Sequence, residues 1–464
     1  MKMAKIVGLA LAVLAILAAW TVIFHYLGLP SRVEGALWSF ILGKNPSFVG
    51  WFVLLLAIAG LITYFGVVTL GVASKNPIPK EFVYPAVSII IPAKDEAPLL
   101  QRTLETVASS DYPKNKMQVI LVTSNSTDDS ERMCQEFIEA HPEIDWTLLS
   151  DPLDKPGKPH ALNHGLEHVK NEILVVYDAG CMLLPDTLKM LVSAFKDEAV
   201  MASQGSIIAK NWNKNGLTKA IAIDYAIVSG GNMHFEAQAK FGKNCWLYGR
   251  NMAVRMDVIR RLNAFDEDSL TEDVYLASLM NANGLKIVFV PHARMYEMVP
   301  SDWPILKKQR ARWVGGFTGD IPRLLQLKVN GKPAGPKEML GRYLSMQFIG
   351  NISIWSLFCL VATVIYLVIG EFYLAGWSFL CYAFNSAWIL MGINRYADNR
   401  FGGLLGHIFG TMKIHAFMFS LSGKLPKVIN WEQTPQLLTM SKEELANLVG
   451  STPEAELAPI PVQD

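Results

Sequence analysis

Apolar residues follow two different rhythms along this chain. Near both ends they run almost unbroken, over residues 3–27 (MAKIVGLALAVLAILAAWTVIFHYL), 49–72, 346–370 and 372–393. A bilayer core needs roughly 20 apolar residues in one helix, so these blocks predict four membrane spans. The first is longer than a signal-peptide core and lacks a small-residue cleavage site, so it is expected to be retained. Lys2 and Lys5 precede the first apolar core and Lys75 and Lys80 follow the second; Arg342 precedes the third, and Arg395 and Arg400 follow the fourth. That placement puts both termini and the large middle region on the cytoplasmic side of a multi-pass cell membrane protein, with residues 31–46 outside.

Between 76 and 335 the rhythm shortens. VSIII (87–91), QVILV (118–122), EILVVYD (172–178) and KIVFV (286–290) read as strands. Amphipathic stretches such as LLQRTLETVA and PDTLKMLVSAF lie between them, the second opening on Pro185 in a first-turn position. Strand–helix alternation predicts an α/β domain with a mainly parallel sheet. The organisation expected is two spans in 1–75, the α/β domain in 76–335, interfacial helices and two further spans in 336–450, and a disordered tail in 451–464. Within the third part, residues 401–434 intersperse His407, Lys413 and His415 with apolar positions. That stretch reads as an amphipathic helix lying on the membrane and presenting lipid headgroups, with a fifth span as the alternative. Residues 338–346 read as a second interfacial helix.

Charge and cysteines narrow the class. A net charge of +1 gives no reason to expect nucleic acid as a partner. The five cysteines (Cys134, Cys181, Cys245, Cys359, Cys381) show neither paired nor metal-type spacing, which suits a reduced compartment. No Walker loop or Gly-x-Gly-x-x-Gly occurs.

In parallel sheets ligands bind beyond the carboxyl ends of strands. After the first strand comes PAKDEAP, with Pro92, Lys94 and Glu96; after the second comes TSNSTDDS, with Ser124; the third ends on Asp178. A carboxylate at a strand end can hold a divalent cation (Mn2+ or Mg2+) against a diphosphate, and it equally suits a turn. TED at 271–273 opens a helix. Acids there favour the helix dipole, and Ser269-x-x-Glu272 has the form of a capping box; alternatively Asp273 is a general base facing a cleft. In KKQRARWVGG (307–316), Gln309, Arg312 and Trp313 share one helix face. An indole offers a platform for a sugar and an arginine binds phosphate oxygens. Lys307 and Arg310 fall on another face and read as a lipid-binding collar.

The ordered set is a strand with PxxxE, Gly157-Lys158-x-x-Ala161-Leu162-Asn163, Asp178, Gly249-Arg250-Asn251, TED and QRARW. It resembles the membrane-embedded family-two glycosyltransferases, which include the cellulose, chitin and hyaluronan synthases, over about Tyr84 to Trp313. The resemblance implies a GT-A fold and an inverting transfer from a nucleotide-sugar donor. Asp178 would contact the nucleotide and its metal, and Lys158 would lie beside it. Pro92, Lys94, Glu96, Ser124, Asn163, Gly249, Arg250 and Asn251 would contribute to substrate binding. Asp273, with Glu272 beside it, would deprotonate the acceptor hydroxyl; Gln309, Arg312 and Trp313 would close over the diphosphate and the acceptor.

Two departures from the family pattern bear on this. Thr123 and Ser124 stand where two aspartates usually precede a Gly-Ser-Thr, which tilts the expected donor from a UDP-sugar to GDP-mannose. Gly180 replaces the second acid of an Asp-x-Asp, with His292 as a candidate replacement metal ligand. Four spans are few for a polymer channel, so the expected acceptor is a membrane-anchored, lipid-linked saccharide. A processive polysaccharide synthase, a polyprenyl-phosphate sugar synthase and an inactive sugar-binding protein are the alternatives.

Overall fold

The computed structural model describes residue 79 and residues 81–422, apart from 151–156, 241, 243, 330–331, 335, 337–351, 369, 371 and 397–403. The spans expected at 3–27 and 49–72, the segment 338–346 and the tail 451–464 lie outside the described residues. The chain divides into two compact units, Lys75–Trp355 with Ile389–Asp464, and Met1–Ser74 with Ser356–Trp388.

The first unit is built on an eight-stranded sheet in the order β3-β2-β1-β4-β7-β6-β8-β5. Its strands are β1 (Val87–Ala93), β2 (Met117–Thr123), β3 (Asp145–Ser150), β4 (Ile173–Val176), β5 (Met182–Leu183), β6 (Val200–Ala209), β7 (Met252–Arg255) and β8 (Lys286–Glu297). β1, β2 and β4 are almost wholly buried, as continuous apolar runs must be when both faces of a sheet are covered. They form a parallel block with β3 at its edge. β7 then runs antiparallel to both β4 and β6, β8 is parallel to β6, and β5 closes the edge antiparallel. The sheet is therefore mixed and not mainly parallel, and the α/β class survives that correction. β7 has only four residues, and β6 (VMASQGSIIA) buries Ser203, Gln204 and Ser206, so neither reads as an apolar run.

The helices of this unit are α1 (Ala97–Ala108), α2 (Ser130–Ala140), α3 (Lys158–Leu166), α4 (Thr187–Ser193), α5 (Gly216–Asp224), α6 (Asn232–Lys240), α7 (Met256–Arg261), α8 (Glu272–Ala282), α9 (Trp303–Gly319) and α10 (Ile321–Leu325). α1 lays Leu100, Leu104 and Val107 on Ile89, Ile91, Val119 and Leu121 of the sheet. α5 passes into a π-helical turn over Tyr225–Ser229. α9 starts at Asp302, whose carboxylate accepts from the Ile305 amide at 3.0 Å, with Pro304 in the first turn.

Three helices follow: α11 (Ile352–Val368), α12 (Phe372–Tyr396) and α13 (Leu404–Ser422). Among the described residues no helix is long and apolar enough to cross a membrane. α11 and the start of α12 do expose large apolar side chains, among them Val364, Ile365, Val368 and Phe372. The expected headgroup-presenting helix at 401–434 is described over α13 and is docked along part of its length. Thr411, Ile414 and His415 are buried, the Thr411 hydroxyl donates to the Ala220 carbonyl at 3.2 Å, and Gly410 lies so close that a Cβ would come 2.8 Å from Ala220.

Candidate active site

Four separate segments meet around one ammonium group. Lys158, at the start of α3, places its Nζ 2.5 Å from Asp178 Oδ1 and 3.9 Å from Glu272 Oε1, and donates to the Gly249 carbonyl at 2.6 Å. Asp178 stands two residues past the end of β4 with a third of its side chain exposed, whereas Glu272 is buried. Gly249 holds φ +65°, and a Cβ there would come 2.7 Å from Asp273 Oδ2 and 2.9 Å from Lys158 Nζ. Only glycine satisfies both the left-handed backbone and that approach. Gly249→Ala is expected to lower turnover on the order of 10²-fold by displacing the carboxylates about 1 Å. Steady-state kinetics on the folded variant checks this; wild-type turnover would sink it.

The charges here are uneven, three carboxylates to one lysine. Burial alone would lower the Lys158 pKa, but Asp178, Glu272 and Asp273 outweigh it and hold it above its ordinary value. Burial, reinforced by the Asp273 charge, pushes Glu272 up to about 7, and burial likewise raises Asp273. Adjacent buried carboxylates share a proton in this range, so they titrate as a pair. Asp273 Oδ1 accepts from the Val274 amide at 2.7 Å, while Oδ2 lies on the Gly249 side. Of the two acids, Asp273 is the less buried.

α9 packs against this cluster. Gly316 lets the TED turn rest on the helix, since a Cβ there would come 2.6 Å from Thr271 Cγ2. The expected capping box does not form. Thr271 is the N-cap, without a side-chain bond, and Ser269 donates to Asp320 at 2.8 Å. Arg312 reaches the Leu270 carbonyl at 3.5 Å with one Nη. Burial lowers its pKa against the pull of Glu272, Asp273 and Asp178. Arg312 Nε, Gln309 Oε1 and Thr271 Oγ1 are buried without a hydrogen-bond partner among the described residues. Buried orphans of this kind ask for a ligand or water.

The collar reading of Arg310 is corrected. Lys307 is exposed, but Arg310 is fully buried, with Nη2 2.6 Å from Asp224 and Nη1 donating to Ser229 at 2.6 Å. Its guanidinium lies 4.3 Å from the centroid of the Trp313 ring, and that of Arg250 lies 5.7 Å from it. Burial would raise the Asp224 pKa; Arg310, His415 and Ser229 outweigh it and hold it low.

The remaining expected residues divide. Arg250 pairs with Glu297 at 2.5 Å, and that carboxylate also accepts from the Tyr225 hydroxyl at 2.7 Å. Asn163 and Asn251 direct their amides at the protein itself. Asn163 donates to the Phe265 carbonyl and to Glu267, and Asn251, at φ +50°, donates to the Ser206 and Ala293 carbonyls. Pro92 is the last residue but one of β1, opposite Val122. Lys94 and Glu96 flank Asp95, which holds φ +51° and accepts from the Thr127 amide and hydroxyl. Ser124 is buried with its amide on the Ala93 carbonyl, and Thr123 gives its hydroxyl to Leu149. The ends of β1 and β2 are thus stapled together with no carboxylate at 123 or 124.

For the expected Mn2+ or Mg2+, the described residues hold no group of three or more His, Cys, Asp or Glu side chains able to bind a metal. Asp178 is partly open, Gly180 gives its amide to Thr103, and His292 lies where the β6–β8 register is irregular. Among the described residues Asp178 and His292 thus belong to no cluster of three or more such ligands. A single open carboxylate still fits a hard cation whose other ligands are phosphate oxygens and water.

Three contributors were missed: Asp224, Glu297 and Tyr225. Asp224 had a signal, being one acid in an apolar run (IAIDYAI) that burial obliges to find a partner. Glu297 had another, since β8 ends on a carboxylate as EILVVYD does.

Residues 85–316, half of the chain, match the family described as glycosyltransferase like family 2. The probable glycosyltransferase YdaM of Bacillus subtilis (strain 168) is 30% identical over 240 residues, covering 50% of this chain and 55% of its own. A beta-monoglucosyldiacylglycerol synthase of Nostoc sp. is 26% identical over 305 residues, covering 62% and 63%. The chain thus spans under two thirds of the length of these curated relatives. Among solved structures, the mannosyltransferase PcManGT from Pyrobaculum calidifontis, in complex with GDP-Man and Mn2+, is 21% identical with a TM-score of 0.48, over 79% of this chain and 97% of that one.

Proposed function

The chain belongs to glycosyltransferase like family 2, and from that premise we propose that it moves a hexosyl group from a nucleotide-sugar onto a lipid-borne acceptor by direct displacement at the cleft around Lys158. The observation that carries this reading is the meeting of Asp178, Glu272 and Asp273 on Lys158, with the Gln309–Arg312–Trp313 face of α9 against the TED turn.

A nucleotide-sugar brings its own leaving group, so the protein must supply a base for the acceptor and positive charge for the departing diphosphate. Asp273, raised in pKa and turned toward Gly249, suits the base. Glu272, deeper and raised in pKa by burial and by the Asp273 charge, faces Lys158 from the other side. Lys158 and Arg312 would receive the phosphate oxygens, which would also satisfy the orphaned Arg312 Nε. A divalent cation would be held at Asp178 and would neutralise the diphosphate. Trp313 would give the acceptor sugar its aromatic face.

GDP-mannose is proposed as the donor because neither Thr123 nor Ser124 offers the carboxylate that the family pattern puts there. The lipid-borne acceptor is supported by the apolar blocks at 3–27 and 49–72 and by the exposed apolar side chains of α11. The Nostoc relative's name, a synthase of a glucosyl lipid, fits the same reading. The test is release of nucleoside diphosphate by detergent-solubilised protein given GDP-mannose, UDP-glucose or UDP-N-acetylglucosamine, with and without Mn2+, in the presence of octyl glycosides. Release and transfer from GDP-mannose is the expected result. Turnover of UDP-sugars alone would overturn the donor assignment, and a chain elongated without a lipid-like acceptor would favour a processive synthase.

A further inference from the structure

The cleft uses one face of α9, while another face carries a buried charge network that the reaction scheme leaves unexplained. Asp224, the last residue of α5, accepts from Arg310 Nη2 at Oδ2 over 2.6 Å and from His415 Nε2 of α13 at Oδ1 over 2.9 Å. Asp224, Arg310 and His415 are all fully buried. Opposite a carboxylate the His415 Nε2 must carry the proton, and its Nδ1 has no partner among the described residues. The π turn that follows Asp224 brings Ser229 within 2.6 Å of the same guanidinium. Arg310 in turn lies against the Trp313 ring, as does Arg250, which is pinned to Glu297. Trp313 is therefore flanked by two guanidinium groups, each tied to a buried carboxylate. Asp224 and Tyr225, a partner of Glu297, are neighbours in sequence at the start of the π turn.

We propose that His415 is a positioning residue for the acceptor. Through Asp224 and Arg310 it fixes the plane of the Trp313 indole, so that the docking of α13 sets how well the acceptor sugar is held. The proposal rests on the reading of Trp313 as the acceptor platform. Its physical basis is the two-oxygen valence of Asp224. With both oxygens engaged the carboxylate has one orientation; with Oδ1 released it can rotate, and Arg310 and the ring that it covers follow. The donor's contacts, at Lys158, Asp178 and Arg312, do not pass through this chain of bonds.

The test compares His415→Leu, which fills the space without a donor, with His415→Gln, whose amide can donate to Asp224. GDP-mannose is the donor and octyl mannoside the acceptor, and GDP release without acceptor is measured alongside. His415→Leu is expected to raise the acceptor KM roughly three- to thirtyfold, with kcat at saturating acceptor and acceptor-free hydrolysis unchanged; His415→Gln is expected to restore the KM. An unchanged KM in His415→Leu, an equal rise in both variants, or a parallel loss of hydrolysis and transfer would overturn the proposal. Trp313→Ala separates the two levels. If it leaves the acceptor KM unchanged, the platform reading itself fails; if it raises KM while His415→Leu does not, only the positioning role fails.

Discussion

Asp273→Asn is expected to lower transfer by about 10²- to 10⁴-fold, the range that a positioned general base supplies, while donor binding persists. Asparagine keeps the shape of the side chain and the donor's contacts at Lys158 and Arg312, but it cannot accept the acceptor's proton. The wild-type profile carries the same signature. The base works only when ionised, and burial raises the pKa of Asp273. Activity should therefore rise with pH through a range that lies above that of an ordinary aspartate. Transfer kinetics with donor titration calorimetry check the variant. Retention of wild-type turnover in Asp273→Asn, with loss in Glu272→Gln, would move the base to the neighbouring residue.

The second large effect is on stability. Arg310→Met should cost about 3–5 kcal/mol, because it leaves Asp224 charged and buried without its guanidinium partner. Thermal melting in detergent should fall on the order of 10 °C. The double variant Arg310→Met, Asp224→Leu removes the stranded charge and should recover most of the loss, since a buried pair replaced by apolar groups is often near neutral. A single variant that melts with the wild type would show that water reaches Asp224 and that the network is not dry.

The parallel block was legible because VSIII, QVILV and EILVVYD are largely apolar and are followed by, or end on, polar residues. The rest of the sheet was not. β6 hides Ser203, Gln204 and Ser206 in the core by bonding them internally, and β7 is too short for any periodicity to show. Asp178, Asp273 and the face of Gln309, Arg312 and Trp313 were legible from spacing and order. Their dependence on Lys158 was only half visible, since the lysine reaches Asp178 and Gly249 across 20 and 91 residues of sequence. Arg310 shows the limit most plainly. A basic residue beside apolar segments reads as a surface group, and nothing local to KKQRARWVGG announces that Asp224, far upstream, takes it into the core. His415 failed in the same way, as a polar position in a seemingly amphipathic helix that long-range pairing buries.

The central claim is a direct displacement in which Asp273 activates the acceptor and no carboxylate is glycosylated. The measurement that tests it most directly is the anomeric configuration of the first glycoside product, read by proton NMR before any second transfer. The account predicts inversion relative to the donor. Retention would require either a covalent intermediate on one of the cleft carboxylates or a front-side route, and would contradict it.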